Sequence, residues 1–457
     1  MKKLIAILLA SLLCLSILAA CDGGDKAPAR DSDTINVWSF TEEVPNAILR
    51  FKELNPDFPF EINVTVVPTD GGGYQQQLDQ ALLAGGPDAP DIYTAEAAFV
   101  LKYTQADLAH VAMPYDDLFN GNAMSMVNSS QIATYAWELG TRGDGKLVAL
   151  PFQATGSAFI YRRSLAIEIW GDDDPAFVET KIGPGWNKFI DAASEAKAKG
   201  IAILPGEGDA WQAIRSGATT PWIVDGKLNL DSHRAQYLDI GHALYNNDYT
   251  TKVGAWSDGW FAAMGGSGDT PILGLLGPAW LINYVMVGNV GDTWGDWAIC
   301  NPPTGFSWGG TWVVANDRGN AKLDGVAKLI EWITLDTSND GFQYKFANGS
   351  LFENSRLFVE EAQNFADGQY TKDAVASGVV MAKSNGEVSI LGGQNMFDVF
   401  IPAGANASGA GFGPYDETIN AAFADQAEQY FMGNKSKDQA IADFYQTILD
   451  EMDIPSS

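Results

Sequence analysis

Histidine, cysteine and serine, the side chains that most often carry covalent chemistry, form no catalytic pattern in this sequence. His110, His233 and His242 have no metal-ligand spacing such as HExxH, and the chain has no CxxC pair and no G-x-S-x-G nucleophile elbow. Two of the three cysteines lie within the first 21 residues, which leaves Cys300 as a lone thiol that we expect to be buried. We therefore expect no catalytic residue, no metal ion and no cofactor, and a protein that binds rather than reacts.

Tryptophan is the residue type with the clearest chemical meaning. The chain has 14 tryptophans and 48 glycines, and several indoles fall in loops rich in glycine, serine and aspartate. An indole in such a loop can present an apolar face and a polar edge to a cleft. These loop tryptophans are Trp256, Trp260, Trp294, Trp297, Trp308 and Trp312. Trp256 and Trp260, which flank Ser257-Asp258-Gly259, are candidate ligand contacts.

Alternating strand and helix patterns surround these loops. Residues 35–38 and 62–66 read as strands on either side of a helix at 44–54, which predicts a parallel β-α-β unit with a right-handed crossover. Ser39 has the spacing of a capping box for that helix. A helix at 186–196 followed by a strand at 201–204 repeats the alternation, so we predict an α/β fold.

The run from Pro271 to Gly288 is apolar enough to suggest a membrane span. Its internal glycines and proline instead favour a buried strand, a turn and a helix.

Acidic and aromatic residues follow the predicted strands, where open α/β sheets present their ligands. Glu42 and Glu43 follow the predicted strand 35–38, and Glu96 lies just past a further predicted strand end at Asp91-Ile92-Tyr93, although a glutamate there can also simply favour a helix N-terminus. The candidate contacts at strand ends are Trp38, Glu42, Glu43, Glu96, Asp209 and Trp211. Trp38 could instead be a core residue.

The N-terminus carries a secretory pattern. Lys2 and Lys3 precede an apolar stretch that ends in Leu18-Ala19-Ala20-Cys21. This pattern resembles the bacterial lipobox, in which the cysteine is diacylated and becomes the new N-terminus; a plain secretory signal is the alternative. We therefore predict a signal peptide at 1–20 and a lipidated flexible tether at 21–33, because the tether has almost no apolar residue. The protein would then be extracytoplasmic, anchored to the membrane by lipid.

Composition limits the classes of ligand that the protein is expected to bind. The formal net charge is −29, which disfavours nucleic acid and anionic lipid as ligands because both would be repelled. The length, 457 residues, is sufficient for two lobes.

Several short segments, taken in order, resemble the extracellular solute-binding lipoproteins of carbohydrate ABC importers, the family that includes maltose- and oligosaccharide-binding proteins. The resemblance covers nearly all of residues 34–455. The segments are Pro90-Asp91-Ile92-Tyr93, Leu150 to Gly156 with Ile160-Tyr161-Arg162, Trp186 to Gly200, Gly277-Pro278-Ala279-Trp280, and Trp308 to Trp312. Residues 346–357 also resemble a family segment, but Ser350-Leu351-Phe352 departs from its pattern.

The resemblance implies a two-lobed, periplasmic-binding-protein-like α/β fold with crossing hinge strands and a ligand cleft between the lobes. It assigns 34–153 plus 310–355 to lobe 1 and 154–309 plus 356–457 to lobe 2. It implies a monomer that closes on an oligosaccharide and delivers it to the transmembrane subunits of a permease. It also places a stacking platform at Trp280, polar contacts at Gln153 and Thr155 on the first crossing, and a C-terminal aromatic contact at Phe397.

Gly309 and Gly310 would let the backbone approach the ligand, or would only bend a strand. Two alternatives remain open from the residues alone: a surface enzyme that degrades glycans with a pair of carboxylates, and the same fold binding a polyamine, a peptide or a metal complex.

Overall fold

The computed structural model of the protein describes residues 33–456. The predicted signal peptide, Cys21 and nearly all of the predicted tether lie outside the described residues. The described strands are β1 (Thr34–Ser39), β2 (Glu61–Val66), β3 (Ile92–Glu96), β4 (Ala149–Pro151), β5 (Ala158–Arg162), β6 (Ile223–Val224), β7 (Lys227–Leu228), β8 (Gly274–Gly277), β9 (Trp297–Cys300) and β10 (Thr311–Ala315). They form a five-stranded sheet, a three-stranded sheet and a two-stranded hairpin.

The five-stranded sheet has the order β2-β1-β3-β10-β4 and is the centre of what we call the first lobe. β1 is parallel to both β2 and β3, as the predicted β-α-β unit requires, whereas β10 is antiparallel to its neighbours. The carboxyl ends of β1 and β3 therefore lie at one edge of the sheet. The register pairs Thr311 with Glu96, so the start of β10 lies at this same edge.

Helices pack on this sheet because each presents an apolar stripe to it. In Glu43–Leu54, for example, Val44, Ala47, Ile48 and Phe51 are buried. The first-lobe helices are Glu43–Leu54, Gly73–Ala84, Val100–Thr104, Tyr115–Leu118, Ala123–Ser130, Thr134–Leu139, Leu323–Thr334 and Phe342–Ala347.

The three-stranded sheet, in the order β8-β5-β9, is antiparallel and is the centre of the second lobe. Its helices are Arg163–Trp170, Pro175–Ile182, Trp186–Lys197, Glu207–Ser216, Ser232–Asn246, Asp258–Met264, Asp416–Phe431 and Lys437–Met452. After β8 the chain turns into the π-helix Leu281–Met286, which continues as Val287–Asn289. The prediction of a strand, a turn and a helix between Pro271 and Gly288 is confirmed. No helix among residues 33–456 is both long and apolar enough to cross a membrane.

Three helices, Val359–Ala366, Gly378–Lys383 and Phe397–Asn406, follow the first-lobe helices in the chain. The last two contribute to a third hydrophobic cluster that also contains Ala154, Ala158 and Trp260. Short 3₁₀ helices are Asp70–Gly72, Ala109–Val111, Gly291–Thr293, Asn320–Lys322 and Ser389–Leu391.

Three chain segments that connect the lobes lie side by side. The segment after β4 pairs with the segment before β10, since Ser157 donates its N–H to the carbonyl of Phe306 and Trp308 donates to that of Thr155. The same segment pairs on its other side with residues 374–376, where Gln153 bridges to Val375. These paired crossings form the hinge region and place their residues between the two sheets.

Two local predictions are corrected. The Ser39 hydroxyl does not cap the first helix, because it is buried at the end of β1, where Thr94 donates to it at 3.0 Å and the Thr41 N–H at 3.3 Å. Residues 201–204 form no strand in a sheet. Ala202 and Leu204 instead make isolated parallel bridges to Ile272 and Thr250.

Candidate functional site

The space between the lobes contains two adjoining cavities. One, of about 650 Å³, we call the aromatic cavity, and the other, of about 450 Å³, the charged cavity. Glu96, Trp308 and Gly309 line both, so the two cavities form one continuous cleft. The cleft lies at the sheet edge where β1 and β3 end and β10 begins.

Three tryptophans build one wall of the aromatic cavity. The ring of Trp308 stands at 68° to that of Trp280, with centroids 5.0 Å apart, and Trp256 lies nearly parallel to Trp280, at 10° and 6.2 Å. Trp256 is half exposed. The three rings therefore form an aromatic corner with an open apolar surface, of the kind that covers the flat face of a ring-shaped ligand.

Local chain geometry explains the corner. The Gly277-Pro278 turn after β8 places Trp280 at the start of the π-helix, and its indole N–H donates to the carbonyl of Trp308 at 2.8 Å. Gly309 has φ +68°, and a Cβ there would lie 3.2 Å from Nε1 of Trp280. A side chain at position 309 would therefore press on the indole.

The carboxylates of the aromatic cavity come from the first lobe. Glu42 and Glu43 follow β1, and Glu96 ends β3. Burial raises the pKa of Glu43, which the Thr41 hydroxyl, donating at 3.4 Å, partly offsets. Burial also raises the pKa of Glu96 to about 7, although the Ala98 N–H donates to this carboxylate at 2.7 Å. A ligand that donates hydrogen bonds to Glu43 or Glu96 would stabilise the buried carboxylate.

The charged cavity has a different chemistry. Glu96 of the first lobe shares it with Arg215, Asp416 and Glu417 of the second, and burial lowers the pKa of Arg215 while these carboxylates oppose the shift. Nε of Arg215 donates to the Gln212 side chain at 3.0 Å. Burial raises the pKa of Asp416 to about 6. The cavity therefore offers both donors and acceptors to a polar ligand.

The hinge residues divide into two groups. Gln153 lines the aromatic cavity and hydrogen-bonds Asp373, whose pKa is raised to about 8 by burial and by the nearby Glu43 carboxylate. Thr155 is buried, and the Tyr135 hydroxyl lies 3.0 Å from its Oγ1 and accepts its N–H at 2.7 Å. Thr155 therefore holds the hinge to the first lobe and does not line the cleft.

The structure brings most of the predicted site residues to the cleft surface. The predicted residues that line one of its cavities are Glu42, Glu43, Glu96, Gln153, Trp211, Trp256, Trp280, Gly309 and Gly310. Contact of these residues with a ligand stays a prediction.

Five predicted residues do not line either cavity, and this is a correction. They are Trp38, Thr155, Asp209, Trp260 and Phe397. Trp38 packs against the first-lobe core, as the alternative interpretation had it, and Phe397 is buried in the third cluster. Sequence position in a loop or at a strand end does not decide which way a side chain points.

Trp260 and Asp209 nevertheless support the site from behind. Trp260 is fully buried, lies 5.6 Å from Trp256 between ring centroids, and donates its indole N–H to Asp209 at 3.3 Å. Burial raises the pKa of Asp209 to about 7, while Trp260 and the Gly206 N–H, which donates at 3.3 Å, lower it. The hydrogen-bonded pair Trp260–Asp209 therefore supports the ring of Trp256 from its buried side.

Other lining residues were not predicted as contacts. Trp308 was among the loop tryptophans, so its position in a glycine-rich loop could have identified it as a lining residue. The same criterion would have been wrong for Trp297 and Trp312, which are buried in β9 and β10. Nothing in the local sequence singled out further lining residues such as Phe40, Tyr284, Arg215, Asp416 and Glu417.

The described residues offer little for covalent or metal chemistry. No group of three or more histidine, cysteine, aspartate or glutamate side chains among residues 33–456 has the arrangement of a metal site. Cys300 is a buried free thiol, as expected, and burial raises its pKa, which makes it a poor nucleophile at neutral pH.

Comparisons with known proteins identify a family and a fold. A family model described as a bacterial extracellular solute-binding protein matches residues 46–350. A solved extracellular solute-binding protein of family 1 is 19% identical, with a TM-score of 0.68 over 90% of this chain and 98% of its own. None of the curated proteins matches the chain.

Two further solved structures carry sugar-binding names. The galacto-N-biose/lacto-N-biose I-binding protein of an ABC transporter from Bifidobacterium longum is 16% identical, with a TM-score of 0.66 over 95% of this chain and 100% of its own. The sugar-binding protein MalE from Xanthomonas citri is 15% identical, with a TM-score of 0.63 over 91% and 96%. At these identities the likeness shows a shared fold, and it confirms the predicted two-lobed α/β architecture.

Proposed function

The chain belongs to the family of bacterial extracellular solute-binding proteins, and from this premise we propose that it captures a carbohydrate, an oligosaccharide in particular, for an ABC importer. The observation that carries the proposal is the aromatic corner of Trp256, Trp280 and Trp308, which lines the same cavity as Glu42, Glu43 and Glu96. The protein would bind its ligand and release it unchanged.

The chemistry of a sugar ring matches this cavity. A pyranose has an apolar face, which an indole covers, and a rim of hydroxyls, which donate to carboxylates. Hydrogen bonds to charged groups contribute about 1.5–3 kcal/mol each. The charged cavity continues the cleft with Gln212, Arg215 and Asn420, so further sugar units would find polar partners there.

Both lobes contribute to the cleft, and this favours hinge closure on the ligand. The carboxylates Glu42, Glu43 and Glu96 belong to the first lobe. The three indoles follow elements of the second lobe: Trp256 follows the helix Ser232–Asn246, Trp280 follows β8, and Trp308 follows β9. The complete set of contacts exists only when the lobes are together, and a ligand shifts the open–closed equilibrium by its higher affinity for the closed form. We propose that the lobes comprise 34–153 plus 310–355 and 154–309 plus 356–457; the first two boundaries lie on the first two crossings, whereas the third crossing lies at residues 374–376.

Delivery and anchoring complete the proposal. The closed protein, a monomer, would hand the sugar to the transmembrane subunits of a permease, and lipid on Cys21 would hold it at the membrane. Two or more acyl chains give stable anchoring where one does not.

A binding screen tests the carbohydrate assignment. The mature protein, titrated with di- to hexasaccharides of several linkages, is expected to show saturable changes in tryptophan fluorescence and a calorimetric binding signal. The assignment fails if no sugar in such a panel changes either the fluorescence or the thermal unfolding temperature.

The same titration separates the alternatives. Chromatography of the sugar after incubation would reveal a glycan-degrading enzyme by its product. A polyamine ligand would combine the indoles with the carboxylates, and its binding would weaken steeply with added salt, whereas binding of a neutral sugar would hardly change.

A further inference from the structure

A third cavity, of about 560 Å³, lies beside the cleft. One wall is the π-helix with its continuation and Trp294; the others are residues 368–372 and 387–390. The residues that bear on its chemistry are Asn283, Trp294, Gln369, Tyr370, Lys372 and Glu387. None of these six lines the aromatic or the charged cavity.

Two exposed aromatic side chains give this cavity open apolar faces. Trp294 is 47% exposed and Tyr370 is 40% exposed, which is high for such large rings. Tyr370 is also held in place: its ring lies 4.9 Å from that of Phe365, and a Cβ at Gly349, which has φ +70°, would overlap it. A rigid ring binds at low cost in conformational entropy.

Polar groups surround the two rings. Nζ of Lys372 donates to the carbonyl of Asn385 at 2.8 Å, and burial lowers the pKa of Lys372 while the nearby Glu387 carboxylate partly offsets this. Gln369 adds an exposed amide. The third cavity thus combines aromatic faces with an ammonium group, a carboxylate and an amide. This combination can bind a hydroxyl-rich ring, the same class of ligand as that proposed for the cleft.

The π-helix Leu281–Met286 stands between this cavity and the cleft. Asn283 lines the third cavity, and Tyr284, the next residue of the π-helix, lines the aromatic cavity and is 73% exposed. Behind them, Asp373 hydrogen-bonds both Asn283 and the cleft residue Gln153. A ligand that leaves the aromatic corner over Tyr284 would therefore meet the third cavity next.

We propose that the third cavity binds the outer units of an oligosaccharide whose inner units lie in the cleft, so that Trp294 and Tyr370 select for chain length. This inference rests on the proposed function. It adds a second platform outside the cleft and predicts that short sugars use the cleft alone.

Calorimetric titrations with size ladders test this. The probes are α-1,4-gluco-, β-1,4-gluco- and β-1,4-xylo-oligosaccharides of two to seven units, titrated into the mature wild-type protein and into Trp294→Ala, Trp294→Phe and Tyr370→Ala. Tyr415→Ala, at a tyrosine 48% exposed outside all three cavities, is the matched control.

In the ladder that binds, we expect wild-type affinity to keep rising beyond three units. Trp294→Ala and Tyr370→Ala should each weaken the longest sugars about five- to tenfold, because each loses one stacking platform. They should leave the disaccharide unchanged, Trp294→Phe should restore part of the loss, and Tyr415→Ala should resemble the wild type.

Two results would overturn the inference and leave the proposed function standing: wild-type affinity that does not depend on length, or long sugars that bind the Trp294 and Tyr370 variants as tightly as the wild type. If no sugar of any length binds the wild type, the proposed function fails, and this inference fails with it.

Discussion

The indole N–H of Trp280 donates to the carbonyl oxygen of Trp308 at 2.8 Å. Trp280 stands in the second lobe after β8, whereas Trp308 lies on the crossing between β9 and β10. The hydrogen bond therefore links the indole ring of Trp280, which lines the cleft, to the hinge. If the lobes close as proposed, a change in the path of this crossing would move the indole of Trp280 with it.

Replacement of Trp280 by alanine should weaken sugar binding at least about tenfold, because the central ring of the aromatic corner and its hydrogen bond to the hinge are both lost. Trp280→Phe keeps an aromatic face without the N–H and should bind with intermediate affinity. Isothermal titration calorimetry measures both. Unchanged affinity in the alanine variant would remove Trp280 from the site.

Gly309→Ala should reduce both stability and affinity. At φ +68° an alanine costs about 1 kcal/mol of unfolding free energy, and its Cβ would lie 3.2 Å from Nε1 of Trp280. Gly171→Ala is the matched control, since Gly171 has φ +79° but no atom within 4 Å of its Cβ position. Urea unfolding should show similar losses for the two variants, and calorimetry should show weaker binding for Gly309→Ala alone. Equal affinities would mean that the indole can shift freely.

Asp209 should make the folded protein less stable as pH rises. Its folded pKa is about 7, against an ordinary value of 3.8, so the folded state retains a proton that the unfolded state has already released. Its contribution is complete below about pH 4 and is lost as pH rises through 7. Between pH 5 and pH 8 the wild type should lose about 2–3 kcal/mol more stability than Asp209→Asn.

Urea unfolding at several pH values measures that difference. The comparison is of slopes, because the amide also loses an acceptor for the Gly206 N–H and lowers stability at every pH. Glu96 and Asp373, whose pKa values are also raised, contribute the same trend to both proteins. Parallel pH profiles would show that Asp209 does not titrate in this range.

Cys21→Ser should release the protein from the membrane fraction of cells that process lipoproteins, because position 21 then has no thiol to be acylated. Cys300→Ser is the control: Cys300 is buried, and its variant should stay in the membrane fraction. Fractionation followed by immunoblotting distinguishes the two. A membrane-bound Cys21→Ser variant would contradict the lipid anchor.

Periodicity in the sequence was enough to predict the first β-α-β unit and the helix at 186–196, because apolar spacing reports directly on which face of an element is buried. It was also enough to place Glu43 and Glu96 at one sheet edge, because the carboxyl ends of parallel strands lie at the same edge. Capping and strand pairing were less predictable. Ser39 bonds Thr94, and 201–204 makes only isolated bridges, because both outcomes depend on neighbours distant in the chain.

The sequence by itself determined the α/β class and the supply of loop tryptophans and strand-end carboxylates from which the cleft is made. Only the tertiary structure decided which of them reach its surface. Trp256 and Trp280 line the aromatic cavity, whereas Trp260 and Phe397 are buried, and Arg215 joins Glu96 from the opposite lobe. The physical reason is that local spacing defines an element and its buried face, whereas the exposure of a loop side chain depends on how two separately packed lobes meet across the hinge.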